Sequence, residues 1–175
     1  MNYNPKIHHR RSMRLKDYDY SQAGVYFVTI CSQNRDCLFG EIVDDRMRLN
    51  KYGIIAKDEW RRSEQIRKEI KLDEFIVMPN HLHGIIFIEN TVGANGRSPL
   101  HRKNMGSKTL SSFMAGYKSF VTKQINILRQ TPGILVWQRN YYEHIIRNET
   151  ELNKIREYII YNPVNWKSDE NYKGV

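Results

Sequence analysis

Met78-Pro79-Asn80-His81-Leu82-His83-Gly84-Ile85-Ile86-Phe87-Ile88 is the stretch on which the reading of this chain turns. Pro79-Asn80 reads as a tight turn, and the run after it, rich in β-branched and aromatic residues, reads as a strand. Side chains on a strand alternate between faces, so His81 and His83 point the same way, together with Ile85 and Phe87. Two imidazoles at that spacing can grip one cation. They open the strand, where its apolar face reaches the rim of a sheet and a substrate can approach.

Working outward, Phe75-Ile76-Val77-Met78 forms the strand before the turn, and Val25-Tyr26-Phe27-Val28-Thr29-Ile30-Cys31, after Gly24, forms a central strand. Glu41-Ile42-Val43 and Met47-Arg48-Leu49 flank Asp44-Asp45-Arg46 and read as a hairpin. Ala56, Trp60, Ser63, Ile66 and Ile70 follow the helical period from about Tyr52 to Ile70, and Leu110, Phe113, Met114, Tyr117, Val121, Ile125 and Leu128 do so in a second helix. Thr91 to Ser107 is rich in Gly, Asn and Ser and reads as a surface loop. Ile134-Leu135-Val136-Trp137 reads as a strand. A last helix is expected to start at Asn148, with Glu151 completing a capping pattern, and to end near Asn162, because Pro163 disfavours helical geometry before it. The fold class that follows is α+β: a largely antiparallel central sheet with helices packed against it.

In the last helix, Leu152, Ile155 and Ile159 form the buried stripe. Tyr158 and Asn162 stand four apart on one flank of it, while Tyr161 projects from the opposite side. Two imidazoles, a carboxamide oxygen and a phenol are the parts needed to cut a phosphodiester through a covalent tyrosine. A phenol with a pKa near 10 is a weak nucleophile at neutral pH, so a cation must supply much of the help. A mixed nitrogen and oxygen donor set suits Mg²⁺ or Mn²⁺ better than a closed zinc site, with Zn²⁺ left as an alternative.

Bulk properties agree. The chain has 175 residues, 40% of them hydrophobic, enough for one core. With 28 Lys+Arg against 19 Asp+Glu its net charge is +9 and its pI about 9.6, which favours a polyanionic partner such as nucleic acid. Two cysteines, Cys31 and Cys37, do not make a disulfide scaffold. No apolar run reaches the roughly 20 residues a membrane span needs, and the amino terminus lacks a signal segment, so a cytoplasmic protein is expected. Residues 1–24 read as a basic arm, 25–165 as the domain and 166–175 as a tail.

The ordered set of motifs resembles the HUH single-tyrosine transposases, in particular the REP-associated tyrosine transposases. It comprises Arg10-Arg11-Ser12 with Arg14-Leu15 and Tyr18-Asp19-Tyr20, Gly24 to Cys31, Leu38-Phe39-Gly40, Met78 to His83, Trp137-Gln138-Arg139 with Tyr142-Glu143-His144 and Arg147, and Tyr158-Ile159 with Asn162-Pro163-Val164. This resemblance covers nearly the whole chain in order. It implies a ferredoxin-like HUH endonuclease architecture, with His81, His83 and Asn162 as metal ligands and Tyr158 as the nucleophile that forms a 5′-phosphotyrosine and frees a 3′-hydroxyl. Single-stranded or hairpin DNA would be the substrate and Mg²⁺ or Mn²⁺ the cofactor. The protein would be a monomer or homodimer, with no membrane partner, and His144 would have an accessory role. Arg10, Arg11, Arg14, Lys16, Lys118 and Arg139 are candidate DNA contacts, and Tyr18 and Tyr20 candidate base platforms. Two other classes stay open: a catalytically silent nucleic-acid-binding regulator of the same fold, and a metal-dependent hydrolase that activates water.

Overall fold

A computed structural model describes residues 23–89 and 109–172. The basic-arm candidates Arg10, Arg11, Arg14 and Lys16, the tyrosines Tyr18 and Tyr20, and the loop from Thr91 to Ser107 lie outside the described residues.

β1 (Gly24–Cys31) is an inner strand of a four-stranded sheet. β4 (Ile70–Val77) and β5 (His81–Ile88) lie on one side of it and β6 (Tyr142–Ile146) on the other, in the order β4-β5-β1-β6, all antiparallel. A separate hairpin, β2 (Gly40–Val43) and β3 (Arg46–Leu49), turns at Asp44-Asp45. Both aspartates have positive φ (50° and 58°), the backbone a two-residue hairpin turn requires. Three α-helices complete the fold among the described residues: α1 (Lys51–Ile66), α2 (Leu110–Leu128) and α3 (Glu149–Tyr161).

β1 and β5 are covered on both faces, which is why β5 reads as an almost continuous apolar run instead of an alternating one. Tyr26, Val28, Ile30, Leu82 and Ile86 face α1 and α2 and belong to the large core with Trp60, Phe113, Tyr117 and Val121. Phe27 and Ile85 face the other way and close a smaller cluster with Ile146, Leu152 and Ile159, which seats α3. A polar tether reinforces that seat. Arg156 on α3 grips Asp73 through two hydrogen bonds of 2.6 and 2.9 Å, and the guanidinium holds the Asp73 carboxyl below its usual range. The register of β4 on β5 shifts between Leu72 and Phe75, an irregularity that takes in Asp73.

Gly84, between the histidine pair and the rest of β5, faces the Trp60 indole so closely that a Cβ placed there runs into the ring. Trp60 is fully buried and cannot yield without opening the core. Gly84→Ala is therefore expected to destabilise the fold by about 2–3 kcal/mol, read as a fall of roughly 5–10 °C in Tm. An unchanged Tm would contradict this packing.

Two expectations need correction. Ile134 to Trp137 is not a strand of the sheet; it makes a single bridge, Trp137 to Ser32, with Ile134 and Leu135 exposed, and the strand before α3 is β6. The first helix stops at Ile66, because Arg67 to Glu69 form a turn, closed by an Arg67–Glu69 ion pair of 2.7 Å, that sends Ile70 into β4.

Candidate active site

His81 and His83 enter β5 directly from the Pro79-Asn80 turn and are buried, at 0% and 1% exposure. Their Nε2 atoms converge to 2.9 Å. Each ring is oriented by its other nitrogen: His81 Nδ1 lies 2.8 Å from Asn80 Oδ1, and His83 Nδ1 lies 2.8 Å from Thr29 Oγ1. Asn80 Nδ2 donates to the carbonyls of Arg35 and Asn171, so its Oδ1 is the accepting end and His81 Nδ1 carries the proton. In the neutral ring, His81 Nε2 is therefore a bare lone pair. Burial drives His81 down to about 4, against the pull of Asp169, and burial with the neighbouring His81 drives His83 well below its ordinary value. Both rings are neutral at pH 7, the form that ligates metals.

That burial has a measurable cost in acid. For His81 the folded value is about 4 and the unfolded value 6.5. Between the two, the unfolded chain takes up a proton that the folded chain refuses, so stability is full above pH 6.5 and declines as pH falls toward 4. His81 alone is expected to lower the unfolding free energy at pH 5 by about 2 kcal/mol relative to pH 7, with His83 adding in the same direction. Urea unfolding at the two pH values checks this, and equal stabilities would contradict it.

α3 supplies the other half of the site. Asn148 caps its start, accepting from Glu151 N at 2.9 Å, and Asn162 is its C-cap. The helix places the Tyr158 hydroxyl 3.2 Å from His83 Nε2, and that hydroxyl donates to Asp169 Oδ2, also at 3.2 Å. Burial, then the Asp169 carboxylate, raises the phenol above its ordinary value. Asn162 Nδ2 donates to the same Asp169 oxygen at 2.8 Å. Its Oδ1 lies near enough to His81 to favour the charged ring, yet it is buried without a hydrogen bond of proper geometry. An orphaned carbonyl oxygen beside the bare His81 Nε2, with the His83 Nε2 converging on it, is what an oxophilic cation would satisfy. Tyr161, by contrast, is 58% exposed.

Asp169 was not among the residues expected from the sequence. With His81 and His83 it forms a set whose donor atoms lie within 4.8 Å of one another, an arrangement able to hold a metal ion. Burial works to raise its carboxyl, but the Asn162 amide, the Asn171 N–H and the two imidazoles outweigh that and hold it low. It arrives on the stretch set apart as a tail, whose described residues, 166–172, fold back onto the site. Trp166 is buried against His81 and Tyr172 (centroids 5.8 and 5.2 Å), and Cys31 Sγ reaches Asn171 Oδ1 at 3.5 Å. Two aromatic residues, Trp166 and Tyr172, so close to the end were the available clue that this stretch packs.

The remaining candidates stand elsewhere. His144 Nε2 lies 2.7 Å from Glu151 Oε1, and Glu151 also accepts from Arg147 N, so His144 belongs to the clamp at the start of α3. Lys118 is half-buried and spends its ammonium on the carbonyls of Gln138 (2.6 Å) and Arg139 (2.9 Å), strapping that loop. Arg139 is exposed.

No family model matches the chain. A Haemophilus influenzae protein, described as uncharacterized, is 44% identical over 177 residues, covering 97% of this chain and 97% of that protein. Among solved structures, a REP-associated tyrosine transposase bound to a REP hairpin superposes with a TM-score of 0.56 at 19% identity, covering 87% of this chain and 74% of that one. A Deinococcus radiodurans protein described as a transposase, with a TM-score of 0.46 and 15% identity, is too distant to carry argument. The chain thus belongs to one family with the Haemophilus influenzae protein and has the α+β fold of the REP-associated tyrosine transposase.

Proposed function

We propose that the protein is a metal-dependent single-stranded DNA endonuclease and strand transferase that acts through Tyr158. The observation that carries this reading is the meeting of the Tyr158 hydroxyl with His83 Nε2 at 3.2 Å, beside the unpartnered Asn162 Oδ1. His81, His83 and Asp169, with Asn162 Oδ1, would hold Mg²⁺ or Mn²⁺. When bound, the cation polarises the phosphodiester and steadies the charge that develops on its oxygens.

The chain's own groups do the rest. Tyr158 Oη attacks the phosphorus, the bond to the 3′-oxygen breaks, and the products are a 5′-phosphotyrosine and a free 3′-hydroxyl, so the bond energy is kept for rejoining. The phenolic proton already lies on the line to Asp169 Oδ2, the acceptor at hand, and the leaving 3′-oxygen takes its proton from solvent. Because burial and the Asp169 carboxylate raise the phenol, its hydroxyl stays protonated at rest. Thr29 and Asn80 fix the ring orientations of His83 and His81. The net charge of +9 favours a polyanionic substrate, and the transposase of similar fold is bound to a REP hairpin, which makes hairpin-forming single strands the substrate to test.

The test incubates the protein with labelled single-stranded hairpin DNA and Mn²⁺ or Mg²⁺ and examines a denaturing gel. A protein–DNA adduct that survives denaturation and disappears with chelator is expected. Cut DNA without an adduct would instead support a hydrolase using activated water, and salt-sensitive binding with no cleavage would support a silent DNA-binding protein.

A further inference from the structure

A cavity of about 380 Å³ opens beside Tyr158, walled by the α3-facing side of the sheet and by the loop from Asn165 to Glu170. We infer that it is a nucleobase pocket, which receives the base bordering the scissile phosphodiester, stacks it on Tyr142 and prefers an amino-bearing base to thymine. This rests on the reading of Tyr158 as a DNA-cleaving nucleophile.

The size comes first. The volume falls in the roughly 300–1,000 Å³ range of small-ligand pockets, room for one planar base and not for a folded oligonucleotide. Tyr142 comes next. It lies on the edge strand β6, is 46% exposed, and makes an edge-on contact with Phe27 at 6.3 Å. Phe27 in turn stacks on His83 at 5.3 Å and meets Tyr158 edge-on at 6.1 Å. A half-exposed tyrosine on a sheet edge is ordinary by itself. This one lines the same cavity as the nucleophile and leaves part of its ring uncovered, the arrangement by which single-stranded nucleic acids are held on aromatic platforms.

Charge selects which part of a nucleotide enters. Asp169 and Glu170 both line the cavity; the Asp169 charge is spent at the cation site, and the Glu170 carboxylate disfavours a second phosphate. Asp169 is already committed to Tyr158, Asn162 and the Asn171 N–H. The Glu170 carboxylate has no hydrogen-bond partner among the described residues, so an acceptor remains free at the rim. A carboxylate only accepts, and adenine, guanine and cytosine each present an exocyclic amino donor. Thymine presents one ring N–H between two carbonyl oxygens, which the Glu170 carboxylate disfavours. Asn165 and Ser168, also at the wall, offer further polar contacts.

Two arms test the inference. In the first, adduct formation is measured on substrates carrying an abasic site or each base in turn at the positions flanking the cleaved bond. One position is expected at which the abasic substitution weakens wild type about ten- to a hundredfold. Tyr142→Ala should lose the same factor on the intact strand and be indifferent to the abasic site, while Tyr142→Phe keeps the coupling. Glu170→Gln should level the preference against thymine. In the second arm, 2-aminopurine is placed at each position and its fluorescence followed on binding to Tyr158→Phe, which needs no cleavage. Quenching at one flanking position, lost when Tyr142→Ala is added, is expected. If an adduct forms but no position couples to Tyr142, or if Tyr142→Ala loses equally on intact and abasic strands, the pocket is overturned and the nucleophile stands. If quenching couples to Tyr142 yet no adduct ever forms, the pocket stands and the nucleophile falls. If no single-stranded DNA binds, both fall.

Discussion

Tyr158→Phe is expected to abolish the covalent DNA adduct, a loss on the order of 10³-fold or more, while leaving the fold and cation binding in place. The substitution removes a single oxygen. The ring keeps its contacts with Phe27 (6.1 Å) and His83 (5.1 Å), and the stripe of Leu152 and Ile159 that seats α3 is untouched. What disappears is the hydroxyl 3.2 Å from His83 Nε2, with its hydrogen bond to Asp169. One partly exposed hydrogen bond is worth about 1 kcal/mol, so Tm should move by only a few degrees. Retained cleavage in the variant, with Tm unchanged, would mean that a water molecule and not the phenol attacks.

The second large effect belongs to the histidine pair. In wild type, Mn²⁺ at about 100 times its Kd should stabilise the fold by roughly 2.7 kcal/mol, a rise of several degrees in Tm. His81→Ala is expected to erase that rise and to lower adduct formation by about a hundredfold or more. It deletes one of the two converging Nε2 donors, and with it the acceptor-fixed tautomer that Asn80 imposes. Because the His81 ring is fully buried against Trp166, the variant will also lose stability, so the diagnostic quantity is the increment caused by Mn²⁺, compared within each protein. Asp169→Asn separates the oxygen donors. It keeps the shape and removes the charge, and a reduced but persistent Mn²⁺ increment would assign Asp169 to the cation alongside Asn162. A full increment in His81→Ala would place the cation somewhere else.

The parts of the site legible beforehand are those governed by a repeating rule. His81 and His83 share a face because a strand has a period of two, and β5 keeps that period from its first residue. Tyr158 and Asn162 share a flank because they are four apart on a helix whose start is marked by Asn148 and whose end is marked by Pro163. Asp169 follows no period. It is delivered by a short 3₁₀ turn, Trp166–Ser168, and fixed by contacts with Asn171 and Asn162 that exist only after folding. Lys118 shows the converse. A sequence displays its charge but not the two carbonyls that occupy it.

The strand misplaced at Ile134 to Trp137 has a similar cause. Four apolar residues in a row mimic a buried strand, although only Val136 and Trp137 turn inward. β6, the strand that does pair with β1, carries Glu143 and His144 and lies at the sheet edge, where a mixed pattern suffices. Ile70 was ambiguous because it stands four residues after Ile66 and two before Leu72, fitting either period until the Arg67–Glu69 turn decides.

The most direct test of the central claim is to digest the wild-type adduct with protease and identify the nucleotide-bearing tyrosine by mass spectrometry. The DNA 5′-phosphate is expected on Tyr158 alone. Its appearance on Tyr142 or Tyr161 would contradict that claim.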